Sequence, residues 1–194
     1  KQTEWFSNGT LKATSFYVNG KIDGLYTKYG SSGAKVEEWV FTQGVKNGKH
    51  TAWFDKQAAS DSARLQLTCT YRNGVVEGPY SEYNPNGTIK VEGIYEFGKK
   101  NGNWTERFAT GELKEQGTYQ QDTLVGDWLF LYQNGNTRAK GSYLNGNKDS
   151  LDATGVPLYG RDGKWLLYHE NGKLSEEQHW KSGQAHGKFK TYFA

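Results

Sequence analysis

Gly102-Asn103-Trp104-Thr105-Glu106-Arg107-Phe108-Ala109-Thr110-Gly111-Glu112-Leu113-Lys114-Glu115-Gln116-Gly117-Thr118-Tyr119-Gln120-Gln121-Asp122-Thr123-Leu124-Val125-Gly126 holds one whole copy of a unit that recurs along the chain. Two strand-like runs, 103–108 and 112–119, flank a turn at Thr110-Gly111, and a second turn leads to the next opening glycine. Self-similarity at a fixed period marks a repeat architecture, whose units are stacked rather than folded one by one.

With the opening glycine as position 0, openers fall at Gly24, Gly48, Gly78, Gly102, Gly126, Gly163 and Gly187. The period is 24 residues, broken by an insert within 55–64 and another within 147–162. Residues 1–23 fit as a copy lacking its opener, and 187–194 as a final half copy. The reading is therefore one repeat domain over 1–194, with units opening near 1, 24, 48, 78, 102, 126, 163 and 187.

Each column has a physical meaning. Position 2 holds Tyr26, His50, Tyr80, Trp104, Trp128, Trp165 and Phe189, and position 17 holds Tyr17, Phe41, Tyr71, Tyr95, Tyr119, Tyr143 and Trp180. Position 9 is Gly, often after Asn, which is the strongest short hairpin signal. Position 20 is Gly in every copy but one, where Asp122 tolerates the same turn. In the second strand, Leu65, Leu67, Cys69 and Tyr71 alternate with Gln66, Thr68 and Thr70, as a strand with one buried face does. Gly93, Gly117 and Gly141 share position 15. Glycine weakens a strand, so its recurrence predicts an aromatic ring lying on the backbone there, supplied by position 2 of the same hairpin. The fold expected is all-β: an elongated array of antiparallel hairpins forming a single-layer, twisted meander sheet.

Composition agrees. Only 35% of residues are hydrophobic, while 25 glycines and 29 aromatics (7 Trp, 13 Tyr, 9 Phe) stand out, which suits cross-strand aromatic packing better than an aliphatic core. The net charge of +3 comes from interspersed Lys and Glu, without the basic clustering a nucleic-acid surface needs. No apolar run approaches a transmembrane span. Lys1 rather than Met opens the sequence, so the compartment stays open between cytoplasmic and exported with a removed leader.

Catalytic chemistry has no foothold in the pattern. There is no Gly-x-Ser-x-Gly, phosphate loop or Cys/His cluster, and the acidic residues alternate along strands as a solvated face. No catalytic residue, metal ligand or cofactor is expected. Cys69 reads as a small buried hydrophobe, and His169, His179 and His186 as surface residues. Asn147 and Asp149 start like a calcium loop, but Leu151, Asp152 and Leu158 break the pattern. Leu151, Val156, Leu158 and Tyr159 are expected to fold back over the sheet near Leu129 and Leu166, and the first insert to project as a loop.

Position 5 faces away from position 2 by alternation, and holds Tyr29, Trp53, Tyr83, Arg107, Leu131, Tyr168 and Tyr192. Trp128-Leu129-Phe130-Leu131-Tyr132 and Trp165-Leu166-Leu167-Tyr168 are apolar on both faces. A second apolar stripe on the opposite face is either covered by sheet twist, Lys stems or a loop, or is a partner-binding surface. Its candidate residues are Tyr29, Trp53, Tyr83, Leu129, Leu131, Leu166 and Tyr168. The half unit ending in Tyr192-Phe193 leaves an apolar edge strand, through which a homodimer is a further expectation.

The pattern Gly-x-Trp/Tyr, Asn-Gly, Leu/Ile, Tyr, Asn-Gly resembles MORN repeats, and most closely the bacterial variant grouped with toxin–antitoxin antitoxins of the YwqK type. The resemblance covers essentially the whole chain and is best over Gly78–Tyr95, Gly102–Tyr119 and Gly163–Trp180. Departures are the two inserts and Arg107 in a mostly aromatic column. The resemblance implies a non-enzymatic module that binds or scaffolds a protein partner, a toxin in the sharper form. The chain also resembles, less closely, Gram-positive cell-wall-binding repeats. These imply the alternative of carbohydrate binding on exposed aromatics, and burial of Trp104 and Trp128 would remove the platforms that alternative needs.

Overall fold

The computed structural model describes residues 1–55 and 64–193. Of the first insert, within 55–64, residues 56–63 lie outside the described residues, and with them the loop expected to project there. No helix occurs among those described, so none is long and apolar enough to cross a membrane. The chain divides into two compact units, Lys1–Gly98 and Lys99–Ala194.

The first unit contains β1 (Gln2–Trp5), β2 (Leu11–Ser15), β3 (Tyr17–Val18), β4 (Lys21–Ile22), β5 (Gly24–Tyr29), β6 (Lys35–Thr42), β7 (Val45–Trp53), β8 (Leu65–Arg72), β9 (Val75–Val76), β10 (Gly78–Tyr83) and β11 (Ile89–Glu96). The second contains β12 (Lys99–Arg107), β13 (Leu113–Gln120), β14 (Thr123–Leu131), β15 (Thr137–Gly146), β16 (Arg161–Tyr168), β17 (Leu174–Lys181), β18 (Gln184–Ala185) and β19 (Lys190–Thr191). Within each unit, strands adjacent in sequence pair antiparallel as a meander, for example β5–β6–β7–β8 and β12–β13–β14–β15–β16–β17. The all-β hairpin array read from the sequence is the fold observed.

The turns explain the strict glycine column. Gln43 and Gly44 have φ of +50° and +88°, and Gln121 and Asp122 have +51° and +71°. Two successive positive φ angles make the hairpin turn whose twist matches the strands it joins. Each turn is then tied to the preceding hairpin. Gly44 N donates to Ile22 O at 2.7 Å, Gly74 N to Lys46 O at 2.8 Å, Asp122 N to Lys100 O at 3.0 Å and Gly183 N to Arg161 O at 2.8 Å. The adjoining N–H of Gln43 donates to Asp23, that of Phe97 to Glu77 and that of Ser182 to Asp162. Period 24 thus places a carbonyl and a carboxylate where the next turn needs acceptors.

Hairpins closed by the position-9 turn also slip register by one residue between positions 4 and 5, as at Lys28/Tyr29, Glu82/Tyr83, Glu106/Arg107 and Phe130/Leu131. Such a bulge sets two residues against one. Position 12 therefore joins position 13 in facing position 4. Lys12 pairs with Glu4 at 3.4 Å, Lys90 with Glu82 at 3.3 Å and Lys114 with Glu106 at 2.5 Å. These pairs are partly solvated, and each adds at most about 1 kcal/mol.

The aromatic layer fills one face of the second unit. Trp104, Trp128 and Trp165 are buried there, with Tyr119 and Tyr143 set edge-on between them at 4.8–6.2 Å. A ring does lie on each strand glycine, but it comes from the following hairpin. Trp104 is the register partner of Gly117, yet a Cβ on Gly117 would meet Trp128 at 2.1 Å, and one on Gly141 would meet Trp165 at 2.3 Å. The cause is the slip in the β13–β14 ladder opposite Gly126, which frees Trp128 from the flat register. Its indole N–H then donates to Thr118 O at 3.3 Å, and that of Trp165 to Ser142 O at 3.0 Å, so each ring is pinned across the preceding strand.

In the first unit the same pair of positions is filled differently. Trp39 replaces the strand glycine and the smaller His50 follows, and their rings stack at 3.4 Å and 11°. The bulk has moved from one partner to the other.

Gly117→Ala is expected to cost about 3 kcal/mol, because a buried indole pinned by a hydrogen bond has to move. Gly135→Ala, with φ +85° and open space around it, is expected to cost only about 1 kcal/mol of backbone strain. Urea unfolding of the two variants measures the difference.

Candidate functional site

The candidate surface residues fall into separate groups. Leu129 and Leu166 lie on the face opposite the tryptophans and flank Lys140, the register partner of both. With Thr105 and Gln116 they line a trough of ≈ 700 Å³. Tyr168 is close by, its ring 5.8 Å from Lys140 Nζ. Leu131 pairs with Thr137 past the bulge and does not line the trough. In the first unit, Tyr29 and Trp53 line a hollow near the loop ends together with Phe6 and Asp55. Tyr83 lines a different hollow with His50 and Glu82. All seven are partly exposed.

The stripe is less apolar than expected. In the first unit the row through Leu129's position reads Thr14, Thr27, Glu38, Thr51, Thr68, Ser81 and Glu92 across successive strands. Leu129 and Leu166 interrupt this polar row, which makes the trough the distinctive part of that face. Trp104 and Trp128 offer no platform for a sugar, because they are 4% and 3% exposed.

The second insert packs on the tryptophan face and not near Leu129 and Leu166. Val156 and Pro157 are fully buried, whereas Leu151 and Tyr159 are 53% and 60% exposed. The reason is polar. Tyr143 Oη donates to Pro157 O at 2.6 Å, and the fully buried Arg161 gathers the insert around its guanidinium. Arg161 donates to Pro157 O at 2.8 Å, Gln178 Oε1 at 2.9 Å and Asp152 Oδ2 at 2.5 Å, and its plane lies 4.5 Å from the Trp165 ring. Asp152 Oδ1 accepts from Thr154 and from Val156 N, which closes the loop. Burial alone would raise the Asp152 carboxyl, but hydrogen bonds from Thr154 and Arg161 outweigh it and hold the pKa below the usual carboxylate value.

Arg161 belongs to a column of cations over the rings. Lys46 lies 3.4 Å from Trp39 and Lys100 4.4 Å from Trp104. Leu124 occupies that column before Trp128, and the insert supplies the missing charge. Lys148 Nζ pairs with Glu115 and lies 5.7 Å from the Trp128 ring. Burial opposes its charge, yet Glu115 more than compensates and raises its pKa.

One cluster escaped the sequence reading. His50 and Cys69 are register partners, with Cys69 Sγ 3.7 Å from His50 Nδ1, while His50 Nε2 lies 3.2 Å from Glu37 Oε1. Burial pushes the Cys69 thiol up to about 11 and lowers His50 despite Glu37. The thiol therefore keeps its proton and donates to Nδ1, and the Nε2 proton points at Glu37. A nucleophilic cysteine needs the reverse polarity, a thiolate beside an imidazolium. The chain Cys69–His50–Glu37 is a hydrogen-bonded part of the core, and its signal in the sequence was His50 in an otherwise aromatic column.

Comparison with known proteins places three stretches in one family pattern. Residues 76–96, 100–121 and 161–182 match the MORN repeat variant, and MORN repeats are in general protein- and membrane-binding modules, typically without catalysis. No curated protein matches the chain. Among solved structures, a chain of the crystal structure of TcdB2-TccC3-Cdc42 aligns with 93% of this chain at 13% identity and a TM-score of 0.25. This chain spans 11% of the length of that one.

Asp152→Asn leaves the buried guanidinium uncompensated and is expected to cost about 3 kcal/mol at neutral pH. Because the folded Asp152 pKa is depressed, its contribution is complete above the unfolded value of about 3.9 and is lost as pH falls through the lower folded pKa. Stability–pH curves of the wild type and the variant are therefore expected to stay apart through the usual carboxylate range and to converge only as pH falls beneath the depressed folded pKa of Asp152.

Proposed function

We propose that residues 1–194 form a single repeat domain that acts as a non-catalytic protein-binding module, with the trough at Leu129, Lys140 and Leu166 as its contact surface. The observation that carries this reading is the pair of leucines set in an otherwise polar row, on a sheet stiffened from behind by the buried tryptophans. A rigid backing lowers the entropy lost on association, and leucines around a central lysine suit a partner with an apolar anchor and a carboxylate. The three stretches that match a repeat used for protein and membrane binding support the same reading. An antitoxin or immunity role, with a toxin as partner, is the sharper form. Self-association through the edge strand β19 would use Phe189, Tyr192 and Phe193, which are exposed.

The test compares wild type with a Leu129→Glu, Leu166→Glu variant as bait in the native lysate, followed by hydrogen exchange of the purified complex. A partner lost by the variant, with protection confined to strands β14 to β16, is the expected result. Equal capture by both baits, or protection elsewhere, contradicts the assignment. Size measurement of the bait alone separates self-association from capture of a second protein.

A further inference from the structure

The first unit holds a hollow of ≈ 510 Å³ on the same side of its sheet as Trp39 and His50, lined by Glu37, His50, Tyr80, Glu82, Tyr83 and Lys90 among others. It exists because the columns that fill the second unit are reduced here. Positions 2 and 4 are Trp128 and Phe130, then Trp165 and Leu167, in the second unit, but His50 and Ala52, then Tyr80 and Glu82, in the first. Missing ring volume is replaced by polar space.

The charges in this hollow are unevenly satisfied. Glu82 is fully engaged: Oε1 accepts from Tyr80 Oη at 2.5 Å, and Oε2 pairs with Lys90 at 3.3 Å. Glu37 is not. Its one hydrogen bond comes from neutral His50, and among the described residues no cation pairs with it. Lys28 stands across the ladder from Glu37 but forms no ion pair with it. A carboxylate that is three-quarters buried and held by a single neutral donor is poorly compensated.

A second copy of the unit shows one way such a glutamate is completed. Glu37, Glu115 and Glu176 occupy the same position, 13, of their units, and Glu176 takes a neutral donor, Gln178 Nε2 at 2.7 Å. On Glu115 sits the ammonium of Lys148, delivered by the second insert and placed over the ring of Trp128. We infer that the hollow at Glu37 is a binding site for an alkylammonium group, a lysine side chain or a free primary amine. The ammonium pairs with Glu37, as Lys148 does with Glu115, and the stem lies along Tyr80 and Tyr83. His50 does not compete for the carboxylate as a cation, because burial keeps it neutral and Cys69 fixes its tautomer. This site lies in the first unit, and it stands or falls independently of the leucine trough.

The test is titration of the whole chain, followed by backbone amide NMR, with Nα-acetyl-lysine methylamide, its Nε-acetylated counterpart and n-butylamine. Saturable binding of an amine is expected, with shifts at Glu37, His50 and Tyr80. The Nε-acetylated compound is expected to bind at least tenfold more weakly, and Glu37→Gln to weaken the amines by a similar factor. Tighter binding of the lysine derivative than of butylamine identifies a protein side chain as the occupant, and equal binding identifies a free amine. Absence of saturable binding, equal binding of the acetylated compound, or shifts outside the hollow overturns the inference. The comparison of the two lysine compounds needs only the wild type, so it holds even if Glu37→Gln does not fold.

Discussion

An indole ring pinned across the backbone of the preceding strand is the contact on which this structure depends. In the second unit Trp128 covers Gly117 and Trp165 covers Gly141, and each indole N–H is held by a carbonyl of the strand beneath it. A single-layer sheet has no second layer to bury its face against. Here the sheet buries its own backbone under its own rings, and the tyrosines between them lock the row edge-on. The glycine is required because any Cβ would occupy the ring's place. The positive φ of the opening glycine is required because it lets the ring leave the flat ladder.

The same contact explains the polar chemistry on that face. Rings lying flat attract cations, and Lys46, Lys100 and Arg161 recur over them at 3.4–4.5 Å. Where the column fails at Leu124, the second insert brings Lys148, and the rest of the insert condenses on Arg161 and Asp152. Where the ring pair is inverted, as Trp39 over His50, a hydrogen-bonded chain to Cys69 and Glu37 appears in the space. These features are consequences of how each unit balances ring volume and charge. Their protonation states are those of a packed core and not of an activated nucleophile.

Most of the fold was legible in the sequence, because its determinants are local. Asn-Gly turns, alternation in runs such as Leu65–Tyr71, and the fixed spacing of opening glycines specify hairpins without reference to distant residues. What lay between neighbouring hairpins was harder to read. The ring over Gly117 was expected from Trp104, its register partner, and comes from Trp128, because a ladder slip is invisible in a column of residue types. The second insert was expected over Leu129 and Leu166 from the apolarity of Leu151, Val156, Leu158 and Tyr159, yet Val156 is buried on the tryptophan face and Leu151 and Tyr159 are exposed. Arg161 and Asp152 decide its position, and a buried ion pair leaves no hydrophobic signal. The seven candidate surface residues do not form one patch. Leu129 and Leu166 meet around Lys140, while Tyr29, Trp53 and Tyr83 line other hollows.

The central claim is that position 15 of one strand and position 2 of the next share a single volume. A double-mutant cycle on Trp39→Gly and His50→Trp tests it directly, because the double variant rebuilds in the first unit the arrangement of Gly117 and Trp128. Urea unfolding is predicted to show each single change as strongly destabilising and the pair as partly restored, with a coupling of about 2 kcal/mol or more. A double variant whose loss equals the sum of the two singles would contradict the account.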